Sequence, residues 1–132
     1  CERDSVIIFS LYQQHIRDGT NCTLESFCQM IADTSEIMGV HNIGIGTDLC
    51  QNQPDSVVEW MRNGTWTNER DFGEGSASFA GFPDQPEWFR NNSDFLNIAT
   101  GLKQVGFSSE EIGFVMGKNW LNFFEASFES IK

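Results

Sequence analysis

Asp48 is the residue whose type and place most suggest chemistry. It closes the segment Val40-His41-Asn42-Ile43-Gly44-Ile45-Gly46-Thr47-Asp48-Leu49, whose middle is short, apolar and β-branched. A carboxylate at the C-terminal end of a buried strand stands where α/β folds carry their active sites. There it can take up a proton, return it, or hold a cation. The alternative is a turn or helix-capping aspartate, the common role of a lone Asp after a strand.

The remaining chemistry-bearing residues are few. The chain has two histidines, His15 and His41, and four cysteines, Cys1, Cys22, Cys28 and Cys50. His15 follows the first apolar run and could approach a site at that end of a sheet; a solvated loop histidine is the simpler reading. Cys22, Cys28, His41 and Cys50 do not have the short ligand spacings of a structural zinc site. Cys50 and His41 do not make a nucleophile pair, because a seven-residue strand at ~3.3 Å per residue holds its ends roughly 20 Å apart. Gly44-Ile45-Gly46 lacks the third glycine of a dinucleotide fingerprint and lies inside a strand rather than in a turn opening a helix. Gly117-Lys118-Asn119 has no glycine-rich turn upstream, and no serine stands in G-x-S-x-G.

The elements that must position Asp48 come next. Ser5-Val-Ile-Ile-Phe-Ser-Leu11 reads as a buried strand of parallel type. Gly19 and Asn21 mark a loop. From Thr23, a suitable N-cap, Leu24, Phe27, Cys28, Ile31 and Met38 share one helical face, and Gly39 suits the C′ position. The strand over 40–48 follows at once. Strand, helix and strand in this order predict a βαβ unit with parallel, adjacent strands.

Residues 50–92 hold all three prolines and many glycines, Asn and Asp, and read as a long irregular loop with a short helix near Ser56–Met61. It carries Trp60, Trp66, Phe72, Phe79, Phe82, Trp88 and Phe89. These either line a pocket or partner surface, or cover one end of the fold as a local core. Ser93 predicts the cap of a helix running through Leu102 and Val105 to Gly106. Ser108-Ser109-Glu110-Glu111 is a capping box. Gly117 predicts a kink or stop, and Asn119 the cap of a last helix bearing Trp120, Leu121, Phe123, Phe124 and Phe128.

Composition excludes several classes. The chain has 132 residues and is 39% hydrophobic, enough for a core in one domain. With 8 Lys plus Arg against 19 Asp plus Glu, the net charge is −11. That disfavours nucleic acid and anionic membrane surfaces. No apolar run reaches the ~18 residues of a transmembrane helix. Reduced cysteines fit a cytoplasmic protein best, although Asn21-Cys22-Thr23, Asn63-Gly64-Thr65 and Asn91-Asn92-Ser93 would be glycosylation sites in a secreted one.

In order and spacing these segments resemble the C-terminal portion of the membrane dipeptidase (renal dipeptidase) family of metal-dependent amidohydrolases. Ile8-Phe9-Ser10-Leu11-Tyr12 is similar to the family's seventh barrel strand, and His41-Asn42-Ile43-Gly44-Ile45-Gly46-Thr47-Asp48 to its "HvGiGsD" core. Leu102–Ile112 resembles "eLlkrGyseedi", and Gly117-Lys118-Asn119-Trp120-Leu121 resembles "GgNflRv". The resemblance covers 5–49 and 94–128. It departs after Asp48, where Leu49-Cys50-Gln51 replace the family's apolar-Asp-Gly.

The resemblance implies an α/β fold, the C-terminal part of a (β/α)8 TIM-type barrel that this chain leaves incomplete. Residues 1–132 would be one partial domain, with a βαβ unit at 1–49, an insertion at 50–92 and C-terminal helices at 93–132. It implies a two-zinc dipeptidase whose metal ligands all lie upstream of Cys1, with Asp48 catalytic and substrate-binding and Tyr12 lining the pocket. Substrates would be dipeptides, often with a D- or dehydro-residue at the C-terminal position. The chain alone would be inactive. Half a barrel leaves strand edges unpaired, so association with the missing barrel portion, or as a homodimer, is expected. The rival reading is a non-catalytic binding or scaffold module using the acidic aromatic loop 50–92.

Overall fold

The structure, a computed structural model, describes residues 5–13, 15–49, 54–64 and 85–128. The chain divides into two compact units. One comprises Cys1–Asp48 with Gln85–Lys132; the other is Leu49–Asp84.

In the first unit, β1 spans Ile7–Ser10 and β2 spans Ile43–Gly46. They pair in parallel, with Ile7 opposite Ile43 and Ser10 opposite Gly46. The expected parallel neighbours are therefore present, with narrower limits than 5–11 and 40–48. Val40–Asn42 is a 3-10 turn rather than strand. It starts at Gly39, whose φ of 83° lies in the left-handed region open to glycine.

Helix α1, Leu24–Met38, joins the strands. Thr23 Oγ1 accepts the Ser26 N–H at 3.1 Å, and the Gly39 N–H closes the last turn onto Ser35 O. Phe27, Cys28 and Ile31 form its fully buried face. Each large apolar side chain removed from water there contributes roughly 1.5–3 kcal/mol. Helix α3, Phe95–Gln104, lies against α1. The approach is close at Gly101, where an added Cβ would stand 2.6 Å from Cys28 Sγ and 2.9 Å from Leu24 Cγ. Leu11, Ile16, Cys22, Ile43, Phe89, Ile98, Leu102 and Val115 are the other buried apolar residues among those described.

The start of α3 differs from expectation. Asn91, not Ser93, opens a capping box with Asp94 around the 3-10 turn Asn92–Asp94, which runs straight into the helix. Upstream, Phe89 is a core residue and Trp88 packs half-buried against the core, as the local-core alternative for the loop aromatics expects. Trp88 Nε1 donates to Cys22 O at 2.7 Å, its ring sits 5.4 Å from that of Phe27, and Phe89 is fully buried. Of the remaining loop aromatics, Trp66, Phe72, Phe79 and Phe82 lie outside the described residues.

Helix α4, Ser109–Gly113, begins with the expected capping box. Ser108 Oγ accepts from Glu111 N, and Glu111 Oε2 accepts from Ser108 N at 2.8 Å. A π-type turn, Phe114–Lys118, follows and breaks at Gly117 (φ 165°, ψ −22°), where a kink was expected. Helix α5 is Asn119–Phe128.

Asn119 does not cap α5. Its Nδ2 donates to Val40 O and Ile43 O, each at 2.7 Å, and so fastens the entry of β2 to the last helix. The next residue adds a third tie, Trp120 Nε1 to Ile45 O at 3.1 Å. Gly44 makes room for that indole. A Cβ at position 44 would meet Trp120 Nε1 at 2.8 Å. The glycine pair of β2 thus serves packing, since a Cβ on Gly46 would likewise meet Ile8 Cγ2 at 2.6 Å.

The first half of β1 is open to solvent on both faces: Ile7 is 40% and Ile8 46% exposed, and successive strand residues point to opposite sides, whereas Phe9 and Ser10 are half-buried. An apolar strand of this kind is typical of parallel sheets covered on both faces.

The second unit contains α2, Asp55–Asn63, a longer helix than the expected 56–61. Trp60 and Met61 on it are exposed.

Candidate active site

Asp48 lies two residues beyond β2, in the C-terminal direction of both strands. Its φ is 53°, so a non-glycine residue occupies the left-handed region. Asp and Asn are the residues that tolerate this best, because the short polar side chain can bond locally. The Asp48 carboxylate is solvent-exposed and accepts a hydrogen bond from Ser10 Oγ, 2.7 Å to Oδ2. Ser10 is the last residue of β1, so the site is built from the same end of two adjacent parallel strands. The Ser10 hydroxyl in turn accepts the Tyr12 backbone N–H at 3.0 Å.

Of the expected site residues, Asp48 and Tyr12 are therefore joined through Ser10. Tyr12 is half-buried, and its ring lies 5.2 Å from the His15 ring. The His15 N–H donates to Tyr12 O at 2.8 Å, which folds the segment after β1 back on itself. His15 thus stands at the Asp48 end of the sheet. His41 stands at the other end, exposed, with its ring 4.3 Å from Phe114 in a T-shaped contact. Lys118 Nζ sits 4.5 Å from the centre of the same Phe114 ring. Ser10 escaped the sequence reading because a serine in an apolar run carries no signal of its own. Its position as the polar residue closing β1 is the clue that was available.

The cysteines offer no nucleophile among the described residues. Cys22 and Cys28 are buried free thiols. Burial pushes Cys28 up to about 12, with the neighbouring Cys22 adding to the effect, and burial also raises Cys22. Both stay protonated near neutral pH, and a thiol is a poor nucleophile compared with its thiolate. Cys1 and Cys50 lie outside the described residues.

A cavity of about 190 Å³ lies at the opposite end of the sheet from Asp48. It is lined by Ser5, Val6, His41, Asn119, Asn122 and Phe123, among others. Asn119 Oδ1 is buried without a hydrogen-bond partner among the described residues.

A zinc pair needs several converging His or carboxylate ligands. Among the described residues no group of three or more His, Cys, Asp or Glu side chains could hold a metal ion. These residues do not by themselves fit the two-zinc centre that the family resemblance implies. Also among them, no helix is long and apolar enough to cross a membrane.

No family model matches the sequence, and no curated protein matches it. The fold does have a solved counterpart. The crystal structure of an amidohydrolase from Pseudomonas aeruginosa superposes with a TM-score of 0.71 at 23% identity, over 88% of this chain and 34% of that one. The chain thus spans about a third of the length of that structure and shares the fold of that portion. The small parallel sheet with its helices matches the corresponding part of that structure.

Proposed function

We propose that this chain supplies the C-terminal part of an amidohydrolase barrel that hydrolyses dipeptides, with Asp48 as its active-site carboxylate. The observation that carries the reading is the placement of Asp48. It stands at the C-terminal end of a parallel pair, on a left-handed backbone, tied to the same end of the neighbouring strand. In barrels of this class that end bears the chemistry. The fold shared with part of a bacterial amidohydrolase supports the same assignment.

In this reading Asp48 has two tasks. Its negative charge holds the substrate's α-ammonium group. Its free oxygen takes a proton from the attacking water and hands it to the departing amine. Tyr12 lines the pocket beside it. The zinc pair would come from ligands on the rest of the barrel. The metal would activate the water, as it does in metal-dependent hydrolases generally. A completing barrel portion is the partner that the open faces and edge of β1 fit, with a second copy of the chain as the alternative association.

Asp48→Asn tests the assignment. Asn tolerates the left-handed backbone, so the change removes the charge and the proton acceptor while keeping the turn. On a panel of dipeptides at neutral pH with added Zn²⁺, kcat of the full-length enzyme should fall about 10²–10⁴-fold. Bound zinc should stay constant if Asp48 is not a ligand. Wild-type turnover by Asp48→Asn would remove the residue from the mechanism.

A further inference from the structure

We propose that Ser10 is the positioning residue for Asp48, assigning one carboxylate oxygen to structure and the other to proton transfer. The proposal rests on the reading of Asp48 as the active-site carboxylate. A serine hydroxyl has one proton to give and two lone pairs to receive. At Ser10 one lone pair is taken by the Tyr12 N–H, 3.0 Å away, and the proton goes to Asp48 Oδ2, 2.7 Å away. Because the main-chain donor of Tyr12 is fixed, it sets the direction in which the hydroxyl can donate. The chain of bonds runs one way, from Tyr12 N–H to Ser10 Oγ–H to Asp48 Oδ2.

Two further features make the arrangement specific. Ser10 is opposite Gly46 in the sheet register, and Gly46 presents no side chain between Ser10 and the strand end beyond it. The left-handed φ of 53° at Asp48 fixes the main chain from which the carboxylate projects. Backbone and hydroxyl therefore hold the group at two points. Among the described residues Ser10 is the hydrogen-bond partner of the Asp48 side chain, and Oδ1 is left as the oxygen that exchanges protons with water and substrate.

The consequence is a division of labour that separates kcat from KM. Removing the hydroxyl leaves the negative charge in place, so attraction for the substrate ammonium persists. What is lost is the fixed geometry of proton transfer. Ser10→Ala in the full-length enzyme should lower kcat about 10- to 100-fold, the range expected for losing one hydrogen bond to a charged group, with KM nearly unchanged. Ser10→Thr keeps the hydroxyl and suits a strand, and should restore most of the rate. The bond is solvent-exposed, so the melting temperature of Ser10→Ala should move by no more than about 2 °C.

A readout independent of activity accompanies these rates. In protein labelled with ¹³C at aspartate carboxyls, the Asp48 Cγ resonance at neutral pH should shift in Ser10→Ala and return in Ser10→Thr, with no metal required. An unmoved resonance in Ser10→Ala overturns the proposal. So does a wild-type kcat for Ser10→Ala when Asp48→Asn is inactive, and in that case the role of Asp48 stands. If Asp48→Asn itself is fully active, the underlying reading fails and the positioning role falls with it.

Discussion

Asn119→Ala should destabilise the first unit by about 2 kcal/mol. The amide nitrogen serves Val40 O and Ile43 O, both at 2.7 Å, from a side chain only 2% exposed. Losing the partner of a buried carbonyl costs about 1–3 kcal/mol. Two carbonyls lose a donor, which gives roughly 3 kcal/mol at the lower half of that range. Part of it is returned, because among the described residues Oδ1 is already buried without a partner, and its removal relieves about 1 kcal/mol. Asn119→Asp isolates the donor from the volume. It puts a second oxygen against the two carbonyls and should cost at least about twice as much at pH 7 as Asn119→Ala. The introduced carboxyl would have its folded-state pKa raised by burial among oxygens. Its handicap is therefore smallest below the unfolded value of about 3.9 and grows as pH rises through the folded value. Urea denaturation at pH 7 and pH 4, read by tryptophan fluorescence, measures both variants. An Asn119→Ala midpoint shift equivalent to less than about 0.5 kcal/mol, the range of an ordinary surface change, would refute the role of this clamp.

Other substitutions test separate parts of the fold. Gly44→Ala and Gly101→Ala should each cost about 1–3 kcal/mol by overpacking against Trp120 and Cys28 respectively, as measured by thermal melts. Gly113→Ala, where an added Cβ meets nothing within 4 Å in a helix, should instead stabilise by about 0.5–1 kcal/mol. Ser108→Ala should cost about 1 kcal/mol through loss of the α4 cap, and the same denaturation curves report it. Cys28 has a folded-state pKa raised by burial from its ordinary value of 9.0 to about 12. Its contribution is therefore complete below 9 and is lost as pH climbs toward 12. Stability of the wild type should decline across that window, and Cys28→Ala should decline less steeply.

The parts of this fold written in local residue chemistry were legible from the sequence. Thr23 and Gly39 bracket α1 as their types predict, and the Ser108–Glu111 box opens α4, because both signals act within four residues. The parallel pairing of β1 with β2 follows from a strand–helix–strand order that leaves few alternatives. Long-range choices were not legible. Val40-His41-Asn42 reads as strand, yet Gly39 and the Asn119 amide draw it into a 3-10 turn. Asn119 carries the statistics of an N-cap, and its real partners are 76 and 79 residues away. Asn91 and Asp94 had the spacing of a capping box, and Ser93 obscured it. At the site, Asp48 was visible as a carboxylate after a strand. Ser10 was not, because its meaning comes from a residue 38 positions later.

The Asn119 clamp also sets a timetable for synthesis. Ribosomes add about 5–20 residues per second, so residue 119 follows residue 43 by roughly 4–15 s. Throughout that interval Val40 O and Ile43 O lack the donor that fastens them, and the indole that fills the space over Gly44 has not been made. Helix α1, whose contacts are local, can form in well under a second. The nascent chain therefore passes through a stage with a finished helix and an unsecured apolar strand. Such a strand is prone to mispair with other chains, and the docking of Asn119 and Trp120 onto β2 ends that exposure.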